Sequence, residues 1–459
     1  MGVNMINTLF LPELREMLRL QDAAGLAEFC SALHPARTAE FMEGLTEDEA
    51  WSVLQYAEVP TRVEVFGYFP EEQQIEALGS QDRGQVAELV SEMAPDDRVD
   101  ILSQLEPTIL EDLLERLPVD ERRDFMRLSQ YPEGTAGAVM TTEVAMLDEK
   151  LTVREALDEL GRVADEVETI YYLYVVDDDD HLRGVVSARQ LVSAIKTPNL
   201  GLSEIMDRNV LTARPYEDQE DVANKVAKLD LLAIPVVDQQ QRMLGIITHD
   251  DVIDVVREEA TEDAHRSAAV EPLDETYLKT PIFTLSWKRG IWLGILFFFA
   301  LLTAWALAEY EAILGQWIWL SFFIPLIISC GGNSGSQSAT LVITALSRGH
   351  ISLSDWTQIV VREMAMGLVL GGGLAILGFV AVFFIPEGEA VLAPLVVPLT
   401  LLLVVMSGTL IGATLPLVFE KLGWDPALMS NPFVAGIVDI LGILLYVTVA
   451  SWLMGQIAA

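Results

Sequence analysis

The chain has 459 residues, of which 51% are hydrophobic and 21% are charged, and its formal net charge is −39 at pH 7. This length is enough for two or three domains, and the strong negative charge argues against a nucleic-acid partner, which it would repel. Before residue 290, Asp and Glu outnumber Lys and Arg by 59 to 26, whereas the remainder is apolar and contains only Arg348, Arg362 and Lys421 as basic residues. Cations are therefore the natural partners of the first part, and the second part is predicted to be a membrane domain.

Residues 1–132 show a series of short amphipathic segments separated by turn signals such as HPART, VPTRVE, FPEEQQ, APDDRVD and LPVDERR. Pro or Asp near the start of several segments favours helix initiation. The pattern predicts an acidic α-helical superhelix over 1–132, of the kind that serves as a scaffold or docking domain.

An internal repeat follows over 133–257, with units at about 137–200 and 201–257. Val175 to Asp177 correspond to Val236 to Asp238, and Gly184 corresponds to Gly245. Each unit predicts an opening strand, a helix, two short β-branched strands joined by a turn, and a second helix. This pattern resembles a tandem pair of CBS modules, which have an α/β fold.

The resemblance to CBS modules implies a candidate nucleotide site. CBS pairs often hold adenine nucleotides through a Gly-x-x-Ser/Thr-x-x-Asp run. The second repeat carries this run as Gly245, Thr248 and Asp251, whereas the first repeat has Gln190 in place of the Asp. The nucleotide candidates in this sequence are Gly245, Thr248, Tyr172 and Arg189.

A helix is predicted to continue from the second repeat through the connecting segment 258–285 to the membrane. Asp251, Asp254, Glu258 and Glu262 recur three or four residues apart and share one face, where like charges destabilise a helix by about 0.2–0.5 kcal/mol per pair. A hydrated acidic face and a divalent-cation site are both open. The net charge and the position beside a membrane domain favour divalent cations.

From residue 286 onward the sequence predicts an all-α membrane domain with five spans, since each apolar stretch reaches the roughly 20 residues of a crossing. The stretches are about 290–309, 317–346, 359–385, 391–419 and 433–457. Placing the loops that contain Lys and Arg in the cytoplasm puts the N-terminus inside and the C-terminus outside. Glu309, Glu311, Glu387 and Glu389 then lie at the outer mouth, where they would concentrate cations.

The second stretch is interrupted by Pro325 and by the run CGGNSGSQS. A bilayer tolerates such a run only where protein or a water-filled cavity receives its polar groups. We predict that Asn333 and Gln337 line a pore or pack near one, together with Pro325, Gly331 and Gly332. Close helix packing is the alternative, and it is the expectation for the glycines of the third and fourth stretches.

Asp439 is the ionisable residue that we expect well inside a span. A charge at the bilayer centre costs about 2.5–3.5 kcal/mol even on lenient scales, so this carboxylate is expected to face an aqueous cavity or a cation. A neutral, hydrogen-bonded structural Asp is the alternative. Asn431 and Ala435 precede Asp439 by two helical turns and one turn, and therefore share its face.

Together, the acidic helical domain, the CBS pair, the sequence EEATED and the motifs PLIISCGGNSGSQSATL and DPALMSNPFVAGIVD resemble the MgtE family of magnesium channels. The resemblance implies a homodimer in a bacterial cytoplasmic membrane, with a pore on the two-fold axis lined by the second and fifth spans. It implies that Asp439, helped by Asn431 and Ala435, holds a hydrated Mg²⁺ ion. It also implies that the connecting helix acts as a plug.

The same resemblance implies that cytosolic Mg²⁺ closes the pore by binding between the helical domain, the CBS pair and the plug. The implied ligands are Asp96, Asp100, Gly137, Asp218, Glu220, Asp230, Asp251, Asp254, Glu259, Glu262 and Asp263. ATP is a further candidate ligand in the CBS cleft. Gln190 and Leu231 stand where the family has an Asp and an aromatic residue, which argues against ATP regulation.

The sequence also has to be compared with function classes other than a channel, namely an intramembrane enzyme, a coupled carrier and a nucleotide sensor. An intramembrane enzyme is disfavoured because an aspartyl protease needs a second carboxylate well inside a span, where only Asp439 is expected, and because no His lies in a predicted span. A proton- or sodium-coupled carrier of Mg²⁺, Co²⁺ or Mn²⁺ remains the main alternative, beside a membrane-bound nucleotide sensor without conduction.

Overall fold

The computed structural model describes residues 9–164, 166–273, 277–278, 280–383, 393–428 and 431–455. By its contacts, the chain divides into two compact units, Met1–Val256 and Arg257–Ala459. The predicted outer-mouth residues Glu387 and Glu389 lie outside the described residues.

Short helices make up the first part of the first unit. They are α1 (Leu11–Leu20), α2 (Ala23–Ala32), α3 (Pro35–Met42), α4 (Glu47–Leu54), α5 (Val59–Gly67), α6 (Glu71–Ser80), α7 (Arg83–Ser91), α8 (Pro95–Ser103), α9 (Pro107–Arg116) and α10 (Val119–Leu128). Helices α1, α3, α5, α8 and α9 have Pro in their first turn, and Thr46 forms a capping box with Glu49 at α4, so local sequence sets the helix starts. Their apolar faces form one continuous core. The predicted helical N domain is confirmed.

Two similar α/β modules complete the first unit. The first contains β1 (Val144–Asp148), α11 (Val153–Val163), β2 (Thr169–Val176), β3 (Leu182–Ser187) and α12 (Ala188–Ser193). The second contains α13 (Leu202–Ile205), α14 (Gln219–Lys228), β4 (Ala233–Val237), β5 (Met243–Thr248) and α15 (His249–Ser267). β1 pairs with β2 in parallel, and the pairs β2–β3 and β4–β5 are antiparallel. In the second module, whose residues 202–248 are all described, the predicted opening strand is reduced to a bridge between Ala213 and Val236.

The two modules interlock through their opening segments. Thr141 pairs with Ile246 on β5, and Asp207 pairs with Val185 on β3. A methyl group on Gly245 would lie 2.4 Å from the carbonyl oxygen of Thr141, and one on Gly184 would lie 2.8 Å from that of Asp207. Glycine at these two repeat-related positions is therefore required by the close approach of another backbone segment.

The second unit consists of long apolar helices and one short one. They are α16 (Ile282–Glu309), α17 (Glu311–Gln316), α18 (Trp319–Ser347), α19 (Trp356–Phe383), α20 (Val396–Lys421) and α21 (Asn431–Gly455). Among the described residues, four segments are long and apolar enough to cross a membrane, namely Ile282–Glu309, Leu353–Val382, Ala393–Lys421 and Asn431–Met454. α18 has 29 residues, but its polar run lowers its hydropathy, so the count of five spans stays a prediction.

Helices α18 and α20 pack closely at glycines. A methyl group on Gly408 would lie 2.6 Å from the carbonyl oxygen of Gly331, and one on Gly412 would lie 2.0 Å from that of Gly335. Small residues let two helix backbones approach in this way in a membrane. The close packing expected for the glycines of the fourth apolar stretch is confirmed.

Candidate functional site

The carboxylate of Asp439 lies where α21 packs against α18. Asp439 is half-buried. A methyl group on Gly332 would lie 3.4 Å from Oδ1 of Asp439 and 3.3 Å from Cβ of Ala435. The missing side chain at Gly332 therefore lets α18 approach the face of α21 that carries Ala435 and Asp439. The structure brings these three predicted site residues together.

Asn431, the first residue of α21, is held against α18 by two hydrogen bonds. Oγ1 of Thr340 donates to Oδ1 of Asn431 at 2.9 Å, and Oγ of Ser336 donates to the carbonyl oxygen of Asn431 at 2.9 Å. The side-chain oxygen of Asn431 keeps a second lone pair for a metal-bound water. The roles of Ser336 and Thr340 could not be predicted from the sequence, because they depend on where α21 begins.

One face of α18 is exposed in the single chain and is polar along its middle. Its exposed residues include Phe322, Pro325, Ser329, Asn333, Gln337 and Thr340. Their spacing of three or four residues places them in one stripe, in which Nδ2 of Asn333 donates to Oγ of Ser329 at 3.3 Å. Gly331 lies elsewhere on α18, since a methyl group there would lie 2.4 Å from Cγ1 of Val404 on α20.

Glu363 is a second carboxylate within an apolar helix, α19. Glu363 on α19 accepts a hydrogen bond from the buried Ser338 of α18 at 2.6 Å. The backbone carbonyl of Glu363 accepts one from Thr409 of α20 at 3.2 Å. Glu363 lies near the start of the apolar stretch 359–385, beside Arg362, and nothing in the local sequence indicates its partner on α18.

Within the first unit, Asp96 and Asp251 lie in one cluster of acids. Asp96 is 8% exposed, and its Oδ1 is buried without a hydrogen-bond partner among the described residues. Burial, followed by repulsion from Asp251, Asp97 and Glu168, raises the pKa of Asp96 well above its usual range. Asp251 accepts hydrogen bonds from Oγ1 and N of Thr248 at 2.6 and 3.3 Å. Burial is the main cause that raises the pKa of Asp251 to about 6.

These acids offer the type of ligand that a divalent cation such as Mg²⁺ prefers. Carboxylate oxygens are its preferred protein ligands, and an ion between Asp96 and Asp251 would satisfy the buried oxygen and cancel the repulsion. Among the residues that the structure describes, no group of three or more His, Cys, Asp or Glu side chains is arranged to hold a metal. An ion held by Asp96 and Asp251 alone would leave its remaining octahedral positions to water.

Neighbouring acids extend this cluster. The predicted ligands Asp100 and Asp254 follow Asp96 and Asp251 on the same helices, α8 and α15. Asp97, Asp250 and Glu168 were not predicted, although each contributes repulsion to Asp96 or Asp251. The doubled Asp in APDDRVD and THDDVID is a signal for the first two. Glu168 comes from the first module, and no local pattern marks it.

Gly137, Asp218, Glu220 and Asp230 lie elsewhere in the first unit. Backbone hydrogen bonds join the segments 134–137 and 215–219, which brings Gly137 near the start of α14. There Asp218 caps the helix by accepting from the N–H of Glu220 at 2.8 Å. Asp230 follows α14 with a φ of 52°.

The part of α15 after Val256 belongs to the second unit and contacts the end of α18 and the segment before α21. Its predicted ligands are Glu259, Glu262 and Asp263. Oγ of Ser347, the last residue of α18, donates to Oδ2 of Asp263 at 3.3 Å. Arg266 pairs with Glu262 and with Asp425, which precedes α21. Burial raises the pKa of both Glu262 and Asp263, and neighbouring carboxylates add to the rise.

Two of the nucleotide candidates, Thr248 and Arg189, lie at repeat-related helix starts, and Gly245 lies on β5. The hydroxyl of the buried Thr248 donates a hydrogen bond to the carboxylate of Asp251 in the first turn of α15. In the first repeat, Ser187 donates from Oγ and N to Oε1 of Gln190 at 2.8 and 2.7 Å. Gln190 thus preserves the capping role of Asp251 without its charge. The fourth candidate is the half-buried Tyr172 on β2, and Arg189 on α12 is exposed.

Comparisons with known proteins match the helical domain, both α/β modules and much of the second unit. Family models match as the MgtE intracellular N domain over 33–134, the CBS domain over 136–197 and 202–258, and the MgtE divalent cation transporter domain over 324–449. The magnesium transporter MgtE of Thermus thermophilus is 37% identical over 444 residues, which is 96% of this chain and 98% of that protein.

Two solved structures resemble the first part of the chain. The crystal structure of the soluble part of a magnesium transporter is 33% identical, with a TM-score of 0.51 over 54% of this chain and 97% of that chain. The cytosolic domain of the Mg²⁺ channel MgtE in complex with ATP is 35% identical, with a TM-score of 0.50 over 53% and 98%. The chain belongs to the MgtE family of divalent cation transporters, which are membrane transporters and not enzymes.

Proposed function

We propose that the protein is a Mg²⁺-selective channel that mediates magnesium uptake across the cytoplasmic membrane of a bacterium. The observation that carries the proposal is the half-buried carboxylate of Asp439, which faces Gly332 of α18 from within an apolar helix. The exposed amides of Asn333 and Gln337 lie on the same helix as Gly332. Similarity to proteins described as a magnesium transporter and a Mg²⁺ channel supports the choice of ion.

The chemistry of Asp439 suits a hydrated Mg²⁺ ion. Mg²⁺ prefers octahedral oxygen coordination and loses its water reluctantly, so a carboxylate that contacts the bound water can hold the ion without stripping it. The ion in turn offsets the cost of a charge inside the membrane. Ala435 leaves room beside the carboxylate, and Asn431 offers an amide oxygen two turns away on the same face.

The functional assembly is a homodimer with the pore on its two-fold axis. The polar stripe of α18 needs a protein partner or water inside the membrane. A second copy of the chain, related by a two-fold axis, would supply the partner and enclose a water-filled pore. The CBS modules also expose apolar side chains at repeat-related positions, Val192 and Ile195 at 62% and 56%, and Ile253 and Val256 at 47% each. Because these positions repeat, the face has approximate two-fold symmetry, which suits contact with an identical chain.

In the membrane, the helical domain and the CBS modules lie on the cytosolic side, and the C-terminus lies outside. Lys288 and Arg289 at the start of α16, Arg348 after α18 and Lys421 at the end of α20 all fall on one side in this orientation. The bias of basic residues toward cytoplasmic loops favours it.

Cytosolic Mg²⁺ closes the channel by binding to the acidic residues of the first unit and of the connecting helix. Asp96 and Asp251 are the principal candidates, because an ion there relieves their repulsion and satisfies a buried oxygen. Glu259, Glu262 and Asp263 are the candidates on the connecting helix. The ion thereby stabilises the state that stops its own entry.

ATP is expected to have little influence in this chain. The related cytosolic domain was crystallised with ATP, but here Gln190 replaces a carboxylate and Leu231 an expected aromatic residue. Regulation is therefore assigned to Mg²⁺ alone, and isothermal titration of the full-length protein with ATP should detect at most weak binding.

Currents through the purified protein in planar bilayers test the proposal. We expect single-channel Mg²⁺ currents that millimolar Mg²⁺ on the cytosolic side suppresses. Transport that proceeds without resolvable channel openings, and that depends on a proton or sodium gradient, would favour a coupled carrier instead. The buried contact of Glu363 with Ser338 is the observation that keeps this second candidate in view, because proton-coupled carriers use intramembrane carboxylates.

A further inference from the structure

Arg266, in the last turn of α15, lies among carboxylates from two parts of the second unit. Its guanidinium pairs with Glu262 one turn earlier and with Asp425 in the segment before α21. Oδ1 of Asp425 also accepts a hydrogen bond from the N–H of Ala427 at 2.7 Å. Asp425 therefore joins Arg266 to the short 3-10 turn Pro426–Leu428 that precedes the helix of Asp439.

The neighbouring residue Asp263 makes a second attachment. It accepts a hydrogen bond from Ser347 at the end of α18, at 3.3 Å. Nearby positions at the end of α15 thus contact the end of α18 and the segment before α21. These are the two helices that carry Gly332 and Asp439. The connecting helix therefore contacts the end of one of these helices and the segment that precedes the other.

Electrostatics make the cation at residue 266 important for this attachment. Glu259, Glu262, Asp263 and Asp425 lie close enough to repel one another. The side chains of Arg266 and Asp425 are each 31% exposed, and that of Glu262 is 27% exposed, so water screens these charges only in part. Removal of one partner from such a pair leaves the other charge poorly compensated.

We propose that Arg266 is an internal counter-ion that stabilises the contact of the connecting helix with the two candidate pore helices, in addition to any contribution from divalent cations. Arg266 is a positioning residue, since it acts through Asp425 on the start of α21. It supplies, as a fixed charge, part of the neutralisation that Mg²⁺ supplies when bound. This last point rests on the proposed Mg²⁺ gating, whereas the attachment itself does not.

Hydrogen–deuterium exchange of the full-length protein, in buffer with EDTA and in buffer with about 10 mM Mg²⁺, tests the proposal. Because exchange reports local opening, we expect Arg266→Gln to speed exchange in peptides covering residues 258–267 by about tenfold in EDTA, as loss of a partly buried ion pair implies. Arg266→Lys should stay near the wild-type rate. Arg289→Gln, an exposed cation at the start of α16, is the matched control and should have no effect.

A double-mutant cycle shows whether the effect passes through Asp425. Asp425→Asn keeps an oxygen for the N–H of Ala427, so it should match the effect of Arg266→Gln, and the double variant should be no worse than either single one. Effects that add, or an unchanged exchange rate for Arg266→Gln in EDTA, would overturn the proposal. If Arg266→Gln exchanges faster in EDTA as expected but Mg²⁺ does not slow its exchange, the counter-ion role of Arg266 is supported and the proposed Mg²⁺ site on this helix is wrong. Unchanged exchange in α19 and α20 verifies that the variants fold.

Discussion

Replacing Gly412 with Ala should force α18 and α20 apart. The added methyl group would lie 2.0 Å from the carbonyl oxygen of Gly335 and 2.8 Å from its carbonyl carbon. Both are backbone atoms, so no side chain can rotate away, and the helices must separate by about 1 Å or more to reach normal contact distances. Overpacking costs about 1–3 kcal/mol, which the better helix propensity of Ala offsets by up to about 1 kcal/mol.

Thermal unfolding of the purified full-length chain in detergent measures this effect. Gly372 on α19 is the matched control, because a methyl group there would meet nothing within 4 Å. We expect Gly412→Ala to lower Tm by several degrees, at about 2–4 °C per kcal/mol for a unit of this size, while Gly372→Ala leaves Tm unchanged or raises it. Equal melting of the two variants would refute the close contact between α18 and α20.

Two further predictions concern other polar contacts. Glu363→Gln keeps an acceptor for the buried hydroxyl of Ser338, whereas Glu363→Ala removes it at a cost of about 1–3 kcal/mol, so Glu363→Ala should melt at a lower temperature than Glu363→Gln. Burial opposes ionisation of Asp177, but hydrogen bonds from His181 and Arg183 prevail and lower its pKa. Since the folded-state pKa lies below the unfolded value of about 3.9, the charge stabilises the fold above about pH 4 and less as the pH falls. Asp177→Asn should therefore lower Tm at pH 7 and differ less from the wild type below about pH 4; an equal difference at every pH would contradict this.

Local signals in the sequence predicted the helical domain and the CBS pair. Pro in the first turn marks many of the early helices, and the repeat placed Gly184 and Gly245 at equivalent positions before their shared close approach was visible. Such features depend on neighbouring residues or on a regular period. They are readable without tertiary structure.

Contacts between distant segments could not be predicted in the same way. Asp439 was predicted from its cost in a bilayer, but its position against Gly332 depends on the rotation of α18 about its own axis. The pairing of Arg266 with Asp425 joins positions 159 residues apart. Periodicity indicates which residues share a face, and only packing decides which faces meet.

Mg²⁺ uptake into proteoliposomes, followed with an enclosed Mg²⁺-sensitive dye, tests the central claim most directly. Asp439→Ala should abolish uptake while the protein keeps its elution volume and Tm, because the carboxylate that holds the hydrated ion is lost. Glu363→Gln is the control for removing an intramembrane charge and should retain uptake. Uptake at the wild-type rate in the folded Asp439→Ala variant would contradict the assignment of Asp439 as the ion site.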